Sequence, residues 1–266
     1  MLGFLKSALP LSVKNQIRAL LGEKNLYKST IYPIDYSLFG RSLKFYFIAP
    51  PKLGIKAQKG GIENNIIRRI YTFSNEKPSG VIVDVGMNFG FLSMAWSKAM
   101  PHHRIISFEV HPGIIQNVKD AMLQSEISNM EIIESPVSNV AGVSVDFYAG
   151  IYTGSDTEKN NRKITLTTTT LDQFFNSNAN KVHAIKIDTD KFDFEVLEGA
   201  VDLINRDRPM IAIEINQDAR IVPFLLGFGY FLYDMRGEEI VSKDIDLTDP
   251  RFVNIFAYPE KILVTK

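Results

Sequence analysis

The sequence predicts an α/β protein with a doubly wound, mostly parallel sheet, and two consecutive segments carry that prediction. Residues 81–90 read Val-Ile-Val-Asp-Val-Gly-Met-Asn-Phe-Gly, a β-branched run that ends in a carboxylate and a glycine loop. Residues 104–109 form a second short apolar run that ends in a carboxylate. A helical pattern follows each run, as in successive β-loop-α units whose ligands bind above the strand ends.

The segments ahead of the first unit predict an extension. Residues 1–22 mix apolar and basic side chains and end at a glycine, which predicts an amphipathic helix. Residues 31–36 and 42–48 alternate and predict a β-hairpin, and the prolines and glycines of residues 50–61 predict a loop. We therefore expect an N-terminal helix and hairpin extension at residues 1–60 and a second domain at residues 61–266.

The rest of the chain completes the predicted sheet. A helix is expected at residues 62–73, and residues 143–148 have strand character outside the main pattern. The polar residues 150–162 are either an active-site loop or a solvated connection. Together with the first two strands, five further runs predict a seven-stranded sheet with an antiparallel C-terminal strand: residues 131–135, 182–188, 210–216, 229–235 and 252–258.

Composition narrows the class of protein. The chain has 266 residues, with 30 basic and 30 acidic side chains, and this balance gives no indication of nucleic-acid binding. The absence of cysteine excludes disulfides, thiolate zinc sites and a cysteine nucleophile. No apolar run reaches the length of a membrane span, and residues 1–22 lack the pattern of a signal peptide. We expect a cytoplasmic enzyme.

The helix predicted at residues 1–22 has two interpretations. Its apolar face packs against the domain or against a second subunit, which would make the protein a homo-oligomer. Alternatively, the basic amphipathic helix lies on a membrane surface as a peripheral contact. The second interpretation would place the enzyme at the cytoplasmic surface of a membrane.

The loop after the first strand indicates the ligand. A dinucleotide-binding loop would carry Gly-x-Gly-x-x-Gly, but Asn88 and Phe91 stand in place of the second and third glycines, and the Gly-Lys-Ser/Thr of a Walker loop is absent. Glu109, at the end of the second strand, is placed to accept hydrogen bonds from both ribose hydroxyls. The pattern favours a phosphate-free nucleoside with a cationic amino-acid portion, S-adenosylmethionine. A nicotinamide or nucleotide-sugar enzyme is the alternative that the missing glycines disfavour.

Five residues are the main candidates for cofactor contacts. Glycines at positions 86 and 90 would allow a ligand to approach the backbone closely. Asp84 ends a buried strand, so its carboxylate needs a partner: either the ammonium group of the cofactor or the amides of its own loop. These candidates are Asp84, Gly86, Asn88, Gly90 and Glu109.

The ordered set of motifs resembles the FkbM family of class I S-adenosylmethionine-dependent methyltransferases. The resemblance covers roughly residues 60–260 and implies a Rossmann-like fold, with Ser138 and Asn139 bordering the adenine. It further implies O-methylation of a sugar hydroxyl, in a surface polysaccharide or a glycosylated natural product, with a glycan or small molecule as acceptor. The matching residues are Asp84-Val85-Gly86-x-Asn88-x-Gly90, Phe108-Glu109-x-x-Pro112, Thr170-Leu171-Asp172, Ile185-Lys186-Ile187-Asp188, Glu195-Val196-Leu197-x-Gly199-Ala200, Pro209 and Ile213-Glu214.

Two carboxylates are the candidates for catalysis. Asp188 and Glu214 both end predicted strands that should be neighbours in the sheet, about 4.8 Å apart. The pair could share one proton, with one member acting as general base for a hydroxyl, or it could hold a hard cation such as Mg²⁺. Lys186 lies two residues before Asp188, in a buried strand where its ammonium needs a partner, and Asp84, Asp188 and Glu214 are within reach. It is either a structural ion-pair partner or a catalytic lysine of lowered pKa.

One segment departs from the family pattern. After Lys-Ile-Asp the family usually carries Val-Glu-Gly-x-Glu, whereas residues 189–193 of this chain read Thr-Asp-Lys-Phe-Asp. Both acids are one methylene shorter, and they either face the acceptor or only complement a helix dipole. The departure leaves open a second function class, a non-catalytic cofactor-binding module with the same fold.

Overall fold

The computed structural model describes residues 29–149, 162–176, 180–190, 192–241 and 245–262. The helix predicted at residues 1–22 and most of the polar segment 150–162 lie outside the described residues. None of the helices in the described part of the chain has the length and apolar character needed to cross a lipid bilayer.

The predicted hairpin is confirmed. Strands β1 (Thr30–Leu38) and β2 (Arg41–Ala49) pair antiparallel along their whole length. The turn falls at Phe39 and Gly40, which both have positive φ, as hairpin turns require. One face of the hairpin packs on the domain, where Phe47 lies 5.3 Å, centroid to centroid, from the ring of Phe91. The hairpin therefore shares the domain's hydrophobic core, and the boundary between residues 60 and 61 stays a prediction.

The loop predicted at residues 50–61 is wrong, because helix α1 (Pro51–Gly60) occupies it. Pro51 is the first helical residue, where a fixed φ and a missing N–H favour helix initiation. Gly54 lies under the ring of Tyr32, since a Cβ there would come within 2.1 Å of the ring. Residues that usually interrupt a helix thus start it and allow it to pack against the hairpin. Helix α2 (Asn64–Ser74) then leads into the sheet.

The central sheet has the predicted Rossmann-like architecture. Its first half consists of β3 (Val81–Val85), α3 (Phe91–Ala99), β4 (Arg104–Phe108), α4 (Pro112–Gln124) and β5 (Met130–Ile133). A separate hairpin of β6 (Ser144–Ala149) and β7 (Arg162–Thr167) and helix α5 (Leu171–Phe175) follow. The second half consists of β8 (Val182–Ile187), α6 (Asp193–Glu198), α7 (Val201–Asp207), β9 (Met210–Glu214), α8 (Ile221–Gly227), β10 (Phe231–Tyr233), β11 (Glu239–Ile240), a 3₁₀ turn (Pro250–Phe252) and β12 (Asn254–Tyr258).

The strand order within the sheet is β11-β10-β12-β9-β8-β3-β4-β5. From β9 to β5 all neighbours are parallel, and β12 runs antiparallel between β9 and β10. All seven predicted strands belong to this sheet, and β11 adds a short eighth. The strand-like residues 143–148 pair instead with β7 in a separate hairpin.

Helices cover both faces of the sheet. The hairpin and helices α1 to α4 pack on one face, and helices α5 to α8 pack on the other. Alternate residues of one strand enter different cores: Ile82 faces the first cluster, whereas Val81 and Val83 face the second. Because both faces are covered, β3 and β8 are fully buried, and the open edge of the sheet where ligands can enter is at the strand C-termini.

Candidate active site

A cavity of about 810 Å³ lies beyond the C-terminal ends of β3, β4, β8 and β9. This volume is within the range of small-molecule sites. Its lining divides into an apolar half around Phe108 and Val137, which we call the nucleoside half, and an acidic half around Asp188 and Glu214, which we call the acceptor half. The strands whose ends were predicted to carry ligand contacts thus converge on one cavity.

The β3–α3 loop requires glycine for two different reasons. Gly86 lines the cavity with φ of 78°, and a Cβ there would come within 1.8 Å of the carbonyl oxygen of Asp188. Gly90, also with positive φ, precedes α3, and its Cβ would approach a methyl group of Val118 at 2.9 Å. Gly90 is not part of the cavity lining. The first glycine shapes the site, whereas the second allows α3 to pack against α4.

Glu109 joins the two loops of the nucleoside half. One carboxylate oxygen accepts a hydrogen bond from the backbone N–H of Asn88 (2.9 Å), and the other accepts from those of Val110 (2.8 Å) and His111 (3.0 Å). A carboxylate has about four acceptor positions, so one remains for a ligand hydroxyl. Both Glu109 and Asn88 line the cavity, as the sequence predicts for residues near the ribose. Their contact with a ribose stays a prediction.

The wall of the nucleoside half is apolar. It includes two segments that the sequence did not assign to the site. The first turn of helix α4 contributes Ile114, and strand β6 contributes Val145 and Phe147. Ser138 lines this half, as predicted. Asn139 does not, because its side-chain amide donates to Glu198 of α6 at 3.0 Å. The apolar slot suits a planar base held between side chains.

Asp84 forms one of the ion pairs that the sequence allowed for Lys186, and none of the amides of its own loop donates to it. Its carboxylate is 1% exposed, accepts a hydrogen bond from Ser93 and forms an ion pair with Lys186 at 3.3 Å. It does not line the cavity. Asp84 therefore lies behind the cavity wall, and any effect on a cofactor would be transmitted through Lys186.

Lys186 is a buried ammonium that connects the strand to the loop. It donates to the carbonyl oxygen of Gly86 at 2.7 Å and lies 3.5 Å from a carboxylate oxygen of Asp188. Burial alone would lower the pKa of Lys186, but the carboxylates of Asp84 and Asp188 outweigh burial and raise it. The side chain stays charged at neutral pH, which supports the structural ion pair and not a lysine of lowered pKa.

Asp188 and Glu214 converge as predicted. Together with Asp190, they bring one carboxylate oxygen each to within 4.8 Å of one another. Desolvation, followed by the charge and hydrogen bonding of Asp188, raises the pKa of Glu214 to about 7. The pair can thus exchange a proton near neutral pH, and in its deprotonated form it can act as general base for a hydroxyl.

Two residues of the acceptor half, and a third beside it, were not among the predicted site residues. Asp190 and Phe192 both line the cavity, and the Phe192 side chain is 59% exposed although it is apolar. Glu63, just ahead of α2, stands near Lys186 and Asp188. Burial of its carboxyl raises the pKa of Glu63, although Lys186 opposes the shift. No sequence motif surrounds Glu63, so the sequence alone gives no reason to place it near Lys186. The packing of α2 over the sheet brings it there.

The family description "Methyltransferase FkbM domain" matches residues 84–232, more than half of the chain. No curated protein sequence matches the chain.

Solved structures of similar fold include several methyltransferases. The FkbM methyltransferase of Methylobacillus flagellatus is 14% identical with a TM-score of 0.48, over 68% of this chain and 44% of that one. A precorrin-6y C5,15-methyltransferase of Geobacter metallireducens is 15% identical with a TM-score of 0.45, over 80% and 94%. Aeropyrum pernix fibrillarin, solved with bound S-adenosyl-L-methionine, is 13% identical with a TM-score of 0.42, over 90% and 86%.

The chain spans less than half the length of the Methylobacillus protein. The match over residues 84–232 includes the β3–α3 loop, Glu109 and the Asp188–Glu214 pair, and it ends within strand β10. This match confirms the resemblance that the sequence motifs suggested. The chain belongs to the FkbM methyltransferase domain family.

Proposed function

We propose that this chain is an S-adenosylmethionine-dependent O-methyltransferase that acts on a hydroxyl group of a sugar. The observation that carries the proposal is the single cavity in which an apolar slot with Glu109 adjoins the Asp188–Glu214 pair. Family membership supports methyl transfer, and the chemistry of the two halves supports the cofactor and the class of acceptor.

The nucleoside half supports a phosphate-free nucleoside. Glu109 has an acceptor position free for a ribose hydroxyl, and apolar side chains such as Val137 and Phe147 would enclose the base. The cavity lining contains neither lysine nor arginine, so it offers no cation for a pyrophosphate within the described residues. This favours S-adenosylmethionine over NAD or a nucleotide sugar. When bound, S-adenosylmethionine would supply an electrophilic methyl group on a positively charged sulfur.

The acceptor half supports a polyhydroxylated substrate. The carboxylates of Asp188, Asp190 and Glu214 can accept hydrogen bonds from hydroxyl groups, and the exposed ring of Phe192 offers an apolar face for the C–H side of a sugar ring. This combination of acceptors and an aromatic face in one cavity matches the alternating polar and apolar surfaces of a carbohydrate. The position that is methylated depends on how the ring lies on Phe192.

Glu214 is the residue that we assign as general base. Glu214 would take the hydroxyl proton of the acceptor, while bound S-adenosylmethionine would supply the methyl group and leave as S-adenosylhomocysteine. Burial, followed by the charge and hydrogen bonding of Asp188, raises the pKa of Glu214 to about 7. Lys186 would hold Asp188 and the Gly86 carbonyl in place, so we assign it a positioning role.

The same three carboxylates fit a hard cation, which is the second arrangement that the sequence suggested. Asp188, Asp190 and Glu214 offer only oxygen ligands, as Mg²⁺ prefers, and their nearest oxygens lie within 4.8 Å of one another. A bound cation would stabilise the ionised acceptor oxygen. Activity that survives EDTA would favour the proton-sharing pair, and activity restored by added Mg²⁺ would favour the cation.

Calorimetry and labelling test the proposed function. The purified chain should bind S-adenosylmethionine and should not bind NAD or a nucleotide sugar. A methyl-labelled donor added to a lysate with the chain should label a carbohydrate. Binding without labelling of any acceptor would instead support the non-catalytic module, and binding of NAD alone would contradict the cofactor assignment.

Residues 1–22 carry two further proposals that concern location. If the basic amphipathic segment is a peripheral anchor, the intact protein should sediment with anionic vesicles, and a variant without these residues should not. If it forms a subunit contact, the truncation should instead reduce the mass measured by light scattering from that of an oligomer to that of a monomer.

A further inference from the structure

A buried carboxylate outside the cavity connects the two catalytic loops. Asp193, the first residue of α6, is 2% exposed. One of its oxygens accepts from the backbone N–H of Thr189 at 2.8 Å and from the Thr189 hydroxyl at 3.0 Å. The other accepts from the side-chain amide of Asn216 at 2.8 Å. One side chain thus holds the loop after β8 to the loop after β9.

The amide of Asn216 extends this connection to the base. The same Nδ2 that donates to Asp193 also donates to Glu214 Oε2, at 2.9 Å. An amide nitrogen carries two protons, so both contacts can be made at once. Both partners are acceptors, and therefore Asn216 can satisfy them only with its nitrogen, and not its oxygen, turned toward them. Asp193 fixes that orientation from its buried position.

We propose that Asp193 is a positioning residue for methyl transfer: through Asn216 it orients Glu214, and through Thr189 it fixes the loop between Asp188 and Asp190. This inference rests on the proposed function. Asp193 is not part of the cavity lining and has no contact with the acceptor space. The acid that is one methylene shorter than its family counterpart therefore serves the loops behind the site, whereas Asp190 lines the cavity itself.

The structural consequence of losing Asp193 is specific. An amide at position 193 would place a donor against the Asn216 nitrogen, and the Asn216 side chain would turn to present its oxygen. That oxygen would also face Glu214, which would then lose its hydrogen bond and its fixed orientation. A displacement of about 1 Å in a reacting group can reduce turnover on the order of a hundredfold.

Kinetics of Asp193→Asn test the catalytic part of the proposal. We expect kcat to fall by roughly tenfold to a hundredfold, with the Kd for S-adenosylmethionine unchanged within about twofold. Asn216→Ala should cause a similar loss, and the double variant should lose little more than either single variant, because both changes break one connection. Full additivity of the two losses would contradict the connection.

Asp207→Asn is the matched control. Asp207 is also a buried carboxylate that accepts from a backbone amide, that of Val182 at 2.8 Å, but it lies at the opposite end of β8. This variant should lower the melting temperature and leave kcat unchanged. If Asp207→Asn reduces kcat as much as Asp193→Asn does, the effect is one of general stability and the proposal is overturned.

A readout independent of turnover separates this inference from the proposed function. The side-chain amide resonance of Asn216, identified by its loss in Asn216→Ala, should shift in Asp193→Asn and stay in place in Asp207→Asn. An unshifted resonance in Asp193→Asn would overturn the inference even if the wild-type chain proves to be a methyltransferase. A shifted resonance with unchanged kcat would also overturn it, since the connection would then have no catalytic effect. If wild-type protein transfers no methyl group, the proposed function fails on its own.

Discussion

Glu109 and Glu214 are both glutamates at or just beyond the C-terminal ends of sheet strands, yet their surroundings give them different chemistry. Three backbone amides surround the carboxylate of Glu109. Glu214 receives one amide from Asn216 and otherwise faces carboxylates, and its pKa rises to about 7. The three donors hold the carboxylate of Glu109 in one orientation, whereas Glu214, which has few donors, can exchange a proton near neutral pH. On the proposed function, we therefore expect the nucleoside half to bind the cofactor and the acceptor half to transfer the proton.

The largest expected effect is on kcat when Glu214, the glutamate that exchanges a proton, is replaced. Glu214→Gln should reduce kcat by a factor on the order of 10² to 10⁴, because the amide cannot accept the hydroxyl proton. The Kd for S-adenosylmethionine, measured by calorimetry, should change little. The matched control Glu131→Gln alters an exposed glutamate on β5 and should leave kcat unchanged. Equal activity in Glu214→Gln and wild type would remove Glu214 from the mechanism.

Loss of the buried ion pair between Lys186 and Asp84 should have a large effect on stability. Lys186→Met leaves Asp84 buried without its cation, and the free energy of unfolding should fall by about 3 to 5 kcal/mol in urea titrations at neutral pH. Removing both charges, as Asp84→Asn with Lys186→Met, should recover part of that loss. Lys181→Met, which removes an exposed lysine, should change stability by less than about 0.5 kcal/mol. A stable Lys186→Met protein would contradict the role of the pair.

Glu109, the glutamate with three backbone donors, should affect binding of the cofactor. Glu109→Gln puts an amide among backbone donors and should weaken S-adenosylmethionine binding roughly tenfold to a hundredfold, as expected for a hydrogen bond to a charged group. Calorimetry measures the change, and circular dichroism checks that the fold is retained. Tight binding by a folded Glu109→Gln protein would mean that the ribose lies elsewhere.

The smallest expected effect is the pH dependence of turnover. It tests most directly whether Glu214 exchanges a proton. The raised pKa of Glu214 means that its carboxyl is protonated below about pH 7 and cannot take a proton from the acceptor. The rate should therefore rise about tenfold per pH unit up to about pH 7 and level off above it. A flat profile between pH 5 and pH 8 in a steady-state assay would show that Glu214 does not act as base.

The sequence predicted the sheet well because its strands are apolar runs with a clear period. It missed α1, because prolines and a mid-segment glycine normally indicate a loop, and β11, because two residues carry no pattern. It placed Asp188 and Glu214 together correctly, since parallel strand ends meet at one edge. The pairing of Asp84 with Lys186 was among those that the sequence allowed. The turn of Asn139 toward α6, the arrival of Phe147 at the cavity and the position of Glu63 near Lys186 depend on packing between distant segments.

A crystal structure of the chain with S-adenosylmethionine tests the central claim most directly. The nucleoside should occupy the apolar slot with a ribose hydroxyl on Glu109, and the methyl group should point toward Asp188 and Glu214. A cavity left empty at saturating cofactor, or a methyl group directed away from the two carboxylates, would contradict the account.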